Sequence, residues 1–106
     1  MVYDAIMTRR AVLILDSKTV LDDGRVLQRK VWQLPQSAPD RPHGLKYRLY
    51  CGKDRQTIVR YDNESGKGDH RHVGPQEIEF RYTFTSLAQL LQDFALDVEQ
   101  LSGEIK

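Results

Sequence analysis

Apolar positions along this chain fall into short blocks first and a helical stripe last. Residues 11–15 are apolar throughout, which is the pattern of a strand buried on both faces or central in a sheet, and Asp16-Ser17-Lys18 then interrupts it. Thr19-Val20-Leu21, Asp22-Asp23-Gly24 and Arg25-Val26-Leu27 predict a hairpin, because Asp-Gly supplies the positive φ of a tight turn. The returning strand covers residues 26–34 and stops at Pro35; residues 36–44, with Pro39 and Pro42, form a loop. In the next strand Tyr47, Leu49 and Cys51 share one face while Lys46, Arg48 and Tyr50 share the other, so one face is packed and the other wet and basic.

A polar link over residues 52–56 leads into a strand over residues 57–62, where Arg60 and Asp62 face opposite to Tyr61. After a glycine-rich segment, Val73-Gly74-Pro75 turns the chain and residues 77–84 alternate, with Ile78, Phe80, Tyr82 and Phe84 inward. Ser86, with Gln89 three residues later, has capping-box spacing. Leu87, Leu90, Leu91, Phe94, Val98 and Leu101 then make one apolar stripe ending near Gly103. Residues 5–7 read as a short apolar tuck. The expected fold is α+β: a meander-like antiparallel β-sheet of five to six strands, covered on one face by a C-terminal α-helix, in a single domain over residues 1–106. Such a sheet keeps a face or an edge uncovered, which favours a partner or a homodimer.

Composition narrows the function classes. No apolar run approaches the roughly 20 residues of a membrane span, and the first residues lack a signal-peptide pattern, so a cytoplasmic protein is expected. Cys51 is the single cysteine, which excludes an intrachain disulfide framework and reads as a buried spectator thiol. With 16 basic and 15 acidic residues the net charge is +1. A nucleic-acid function therefore has to rest on local clustering of cations.

That clustering lies in residues 60–72, which hold two of the three histidines. Three chemistries fit it, beside the plain reading of turn residues ending in a solvated loop. His70-x-His72 with Asp69, or else Asp62, as third ligand is a candidate metal site, which would make a metal-dependent hydrolase. Alternatively, His70 and His72 act as general acid and base without metal or cofactor, Asp69 orients one of them, and Lys67, Arg71 and Arg60 stabilise phosphate. With RNA as substrate the 2′-hydroxyl is the internal nucleophile, so no cysteine or serine nucleophile is needed. The third reading is recognition without turnover. Under the last two, Lys46, Tyr47, Arg48, Tyr61, Asp62 and His43 are the candidate substrate contacts. Arg60 on a rigid strand and the histidines on a glycine-hinged, mobile segment at residues 66–72 would have to converge.

The run Arg60-Tyr61-Asp62-Asn63-Glu64, then Gly66-Lys67-Gly68-Asp69-His70-Arg71-His72, with upstream His43-Gly44 and Lys46-Tyr47-Arg48, resembles the TumE-like family of toxin components from bacterial toxin-antitoxin modules. The resemblance also covers the early Asp-Gly hairpin and the final helix with Phe94, and so most of the chain. It implies a growth-inhibiting activity and a cognate antitoxin, commonly a helix-turn-helix protein. It brings no residue roles. Ribonuclease chemistry is inferred from the histidines beside cations, and a non-catalytic partner of a helix-turn-helix regulator is the alternative.

Overall fold

The computed structural model describes residues 10–64 and 66–101. The expected tuck at residues 5–7 and the helix end at Gly103 lie outside the described residues. Six strands form one antiparallel sheet in sequence order: β1 (Val12–Val20), β2 (Val26–Gln33), β3 (Leu45–Lys53), β4 (Gln56–Asp62), β5 (His70–Val73) and β6 (Ile78–Arg81). The helix α1 (Leu87–Leu101) packs against β4. The architecture is the expected α+β meander with one covering helix.

Alternation on β3 and β4 builds the core. Tyr47, Leu49, Cys51, Val59 and Tyr61 are buried against Leu90, Phe94 and Val98 of α1, with Val31 of β2 completing the layer. Burial holds the Cys51 thiol above its ordinary pKa, as expected of a spectator. The helix starts where predicted, since Ser86 Oγ accepts the Gln89 N–H at 3.0 Å. Gln89 does not return the bond in capping-box fashion; its side chain donates to Asp93 Oδ1 at 2.8 Å.

Two tyrosines fasten α1 to the sheet beyond this apolar contact. Tyr61 donates to Asp97 Oδ2 at 2.5 Å and Tyr82 to Asp93 Oδ2 at 2.5 Å, and their rings meet edge to face at 5.0 Å. Arg71 adds a two-pronged pair to Asp97, at 2.7 and 3.0 Å.

Four stretches differ from the sequence expectation, and pairing explains each. The apolar block at residues 11–15 lies not in the centre but on edge strand β1, with Val12 58%, Leu13 46% and Ile14 46% exposed. A continuous apolar run does not reveal which strands flank it. Asp16-Ser17-Lys18 does not interrupt β1; these residues pair with Lys30, Arg29 and Gln28, because the backbone ladder is indifferent to side-chain polarity. The alternating stretch at residues 77–84 is a strand only to Arg81, and Ile78 and Phe80 stand exposed on the second edge while Tyr82 and Phe84 alone reach the core. Finally, residues 70–72 are not a mobile loop but the start of β5, paired with β4 on one side and β6 on the other.

Candidate functional site

Cross-strand partners in an antiparallel sheet point to the same face. The register therefore sorts the candidate residues. One row runs Asp16, Lys30, Arg48, Asp62, His70 and Arg81 across all six strands. The adjacent row runs Gln28, Tyr50, Arg60, His72 and Glu79. Both lie on the face opposite α1, which no described element covers. Tyr47, Tyr61 and Arg71 belong to the other face.

On the uncovered face His70 and His72 stand side by side, their rings near-parallel at 25° with centroids 6.4 Å apart. Their hydrogen bonds assign different states to the two rings. His72 Nδ1 lies 3.1 Å from Arg60 Nη2, and a guanidinium can only donate. His72 therefore carries its proton on Nε2 and gives it to Glu79 Oε1 at 2.9 Å. His70 Nδ1 lies 3.1 Å from the Gly68 carbonyl, which can only accept, so Nδ1 is protonated. This leaves His70 Nε2 as the uncommitted nitrogen, 3.7 Å from Glu79 Oε2.

Arg60 is the hub that holds this arrangement. Its Nη1 donates to both Glu77 oxygens at 3.0 Å, and Thr57 Oγ1 donates to Glu77 Oε2 at 2.6 Å. Arg60 Nε is 2.8 Å from Asp62 Oδ2, close enough for an ion pair but misaligned for a hydrogen bond, so that buried donor stays unsatisfied. Glu77 itself has φ of 52°, in the left-handed region that follows the turn at Gly74. The Thr57 bond first, and Arg60 next, hold the Glu77 carboxyl below its ordinary pKa. The His72 bond first, and the Lys67 charge after it, lower that of Glu79.

A small cavity of about 50 Å³ opens here, lined by Arg60, Asp62, Glu64, Lys67, His70, His72 and Glu79. Lys67 overhangs it from a turn whose Gly66 and Gly68 have φ of 84° and 71°. Asp40 anchors that turn by accepting the Gly66 N–H at 2.6 Å. The Lys67 ammonium is loosely paired, 3.7 Å from Glu64.

The structure thus brings together Arg60, Asp62, Lys67, His70 and His72, and separates them from five others, of which Tyr47 and Tyr61 are buried on the α1 side. Arg71 faces α1 and Asp97. Asp69 accepts bonds from Tyr47 Oη at 2.6 Å and His43 Nε2 at 3.2 Å. His43 is stacked on Phe84 at 3.9 Å, and its Nδ1 accepts the Leu45 N–H at 3.1 Å. Asp69 and His43 form a part-buried clasp of their own with Tyr47, in which burial and the Asp69 bond push the Tyr47 phenol pKa upward. The proposed metal set of His70, His72 and Asp69 does not converge, and among the described residues no cluster of three or more His, Cys, Asp or Glu side chains could hold a metal ion. Lys46 and Arg48 remain on the uncovered face.

Glu79, which fills the orienting position beside His72, escaped the sequence reading. Its signal was present: the Val73-Gly74-Pro75 turn makes the strand after it antiparallel to His70-Arg71-His72, and the alternation of residues 77–84 places Glu79 outward.

Comparison with known proteins adds the family. A family model described as Toxin TumE matches residues 10–102. No curated protein and no solved structure matches. The match runs from the approach to β1 through the whole of α1. The chain therefore belongs to the TumE toxin family, the toxin side of toxin–antitoxin modules, with a cognate antitoxin as its partner.

Proposed function

We propose that this toxin cleaves RNA by metal-independent transesterification, with His70 and Glu79 as the acid–base pair. The observation that carries this reading is the free His70 Nε2 beside the Glu79 carboxylate, in a polar cavity overhung by Lys67. His72 has both nitrogens engaged by Arg60 and Glu79, so its part is to position Glu79 and the second proton-transfer role passes to Glu79.

In the step, the ionised Glu79 accepts the 2′-hydroxyl proton as that oxygen bonds to phosphorus. The bond from phosphorus to the 5′ oxygen breaks, and the His70 imidazolium gives its Nε2 proton to the leaving oxygen. The products are a 2′,3′-cyclic phosphate and a free 5′-hydroxyl. Glu79 then gives its proton to solvent and His70 Nε2 takes one up from solvent, which restores both groups. Lys67 and Arg81, the cross-strand neighbour of His70, supply positive charge to the phosphate oxygens. Arg60, tied to Asp62, Glu77 and His72, sets the geometry.

Purified toxin incubated with end-labelled RNA in the presence of a chelator tests this. The expected result is fragments ending in 2′,3′-cyclic phosphate, with no cleavage of DNA or 2′-O-methyl RNA. Cleavage of all three substrates alike would remove the internal nucleophile from the mechanism. Growth arrest by a folded His70→Asn, Glu79→Gln double variant equal to that of wild type would remove the pair.

A further inference from the structure

We infer that the uncovered sheet face carries a single-stranded RNA track leading away from the His70 cavity, with Trp32 as a base-stacking platform. The inference rests on the reading of RNA as substrate and adds where the rest of the strand lies.

Three hollows adjoin along this face. The cavity at the histidines shares Arg60, Asp62 and Glu64 with a groove of about 460 Å³ that also contains Trp32, Lys46 and Arg48. That groove shares Trp32 and Arg48 with a second one of about 410 Å³, which adds Lys18 and Lys30. From β5 to β2 is three strand spacings, about 14 Å at roughly 4.8 Å each, enough for a few extended nucleotides.

The charges differ along the track. Around the histidines every cation lining the cavity has a carboxylate partner, as Arg60 and Lys67 do. Farther along, among the described residues, Lys18, Lys30, Lys46 and Arg48 form no ion pair with a carboxylate. Instead, Lys46 and Lys30 place their ammonium groups 5.2 and 5.9 Å from the centre of the Trp32 ring, and Arg48 lies 5.1 Å over Tyr50. Partly exposed aromatic rings beside unpaired cations match a polyanion with flat bases: a base stacks on the indole, and the displaced ammonium moves to the adjoining phosphate. A docking protein helix would need several apolar anchors. Trp32 is the sole strongly apolar side chain that this face turns into these two grooves; Tyr47, which also borders one, is buried on the α1 side. A duplex keeps its bases paired and cannot stack one on Trp32, so the strand is single.

Trp32 is the only tryptophan in the chain, so its emission reports this platform directly. An uncleavable 2′-O-methyl oligonucleotide of about ten nucleotides, titrated into the full-length toxin, is expected to quench Trp32 fluorescence to saturation. By anisotropy with the same labelled oligonucleotide, Trp32→Ala should weaken binding about tenfold, the equivalent of one stacked base. Trp32→Phe should recover most of it. Lys30→Ala with Lys46→Ala should lower the dependence of log affinity on log salt by about 1.4, the share of two single-strand phosphate contacts. Tight binding without quenching, or Trp32→Ala binding like wild type, would overturn the track even if cleavage is intact. Quenching of the emission by the antitoxin but not by the oligonucleotide would assign the face to the protein partner instead. Conversely, quenching and stacking as described, with no cleavage of RNA, would leave the track standing and remove the catalytic reading.

Discussion

At the scale of single residues, the two histidines are distinguished by their bonds and not by their spacing. His72 is fixed as the Nε2–H tautomer by a donor on one side and an acceptor on the other. Nitrogen-resolved NMR of the imidazoles should therefore find His72 Nε2 protonated and Nδ1 bare, and His70 with the opposite tautomer when neutral. Matching tautomers would dissolve the distinction. Arg60 underlies it. Arg60→Ala strips Glu77, Asp62 and His72 of their cation, and removing charged hydrogen-bond partners from a part-buried site costs about 1–3 kcal/mol. Chemical denaturation should register that loss, and His72 should lose its single tautomer with it. An Arg60→Ala variant as stable as wild type would show that the hub holds nothing.

At the scale of elements, α1 is attached by apolar packing supplemented by hydroxyl–carboxylate bonds. Phe94→Ala should cost about 3–5 kcal/mol, as for large aromatic truncations in a core. Tyr61→Phe and Tyr82→Phe should each cost about 1 kcal/mol, because a carboxylate loses one donor. The same bonds set the alkaline limit. Burial first, then the bond to the partner carboxylate, raises the phenol pKa of Tyr47, Tyr61 and Tyr82 in the fold. An unfolded tyrosine ionises near pH 10. Their contribution is thus complete below about pH 10 and declines as pH climbs through the raised native values, because the unfolded chain sheds protons that the fold retains. The part of the tyrosinate absorbance that is lost on Tyr47→Phe, Tyr61→Phe or Tyr82→Phe substitution should consequently rise together with unfolding, not before it. An early rise in the native state would contradict the buried bonds.

The elements also show what was legible beforehand. The hairpin at Asp22-Asp23-Gly24, the faces of β3 and the stripe of α1 could be read because turn chemistry and side-chain period are local properties. Strand order is not local. Residues 11–15 looked central and Ile78 and Phe80 looked inward because apolarity marks what a strand offers for burial, and the neighbours decide what is buried. For the same reason Arg60, His70 and His72 were recognisable as a group by density of titratable residues, whereas Glu79 required the β5–β6 register. The separation of Asp69 and Arg71 from the histidines follows from one-residue alternation once β5 is known to be a strand, which its glycine-rich approach concealed.

At the scale of the molecule, a single helix on one face of a six-stranded sheet leaves the second face uncovered, and the register divides that face into an end where His70, His72 and Glu79 meet and a basic, aromatic end. The proposed cleavage depends on Glu79 being ionised, and its lowered pKa, owed first to the His72 bond, keeps it so to more acidic pH than an ordinary carboxylate. The most direct measurement is the pH–rate profile of RNA cleavage under single-turnover conditions for wild type and Glu79→Gln. Wild type should give a bell whose acid limb falls below the ordinary carboxylate range as Glu79 takes up a proton. Glu79→Gln should be slower by about 100- to 10,000-fold and lack the acid limb. A Glu79→Gln protein cleaving at the wild-type rate with the bell intact would contradict the account.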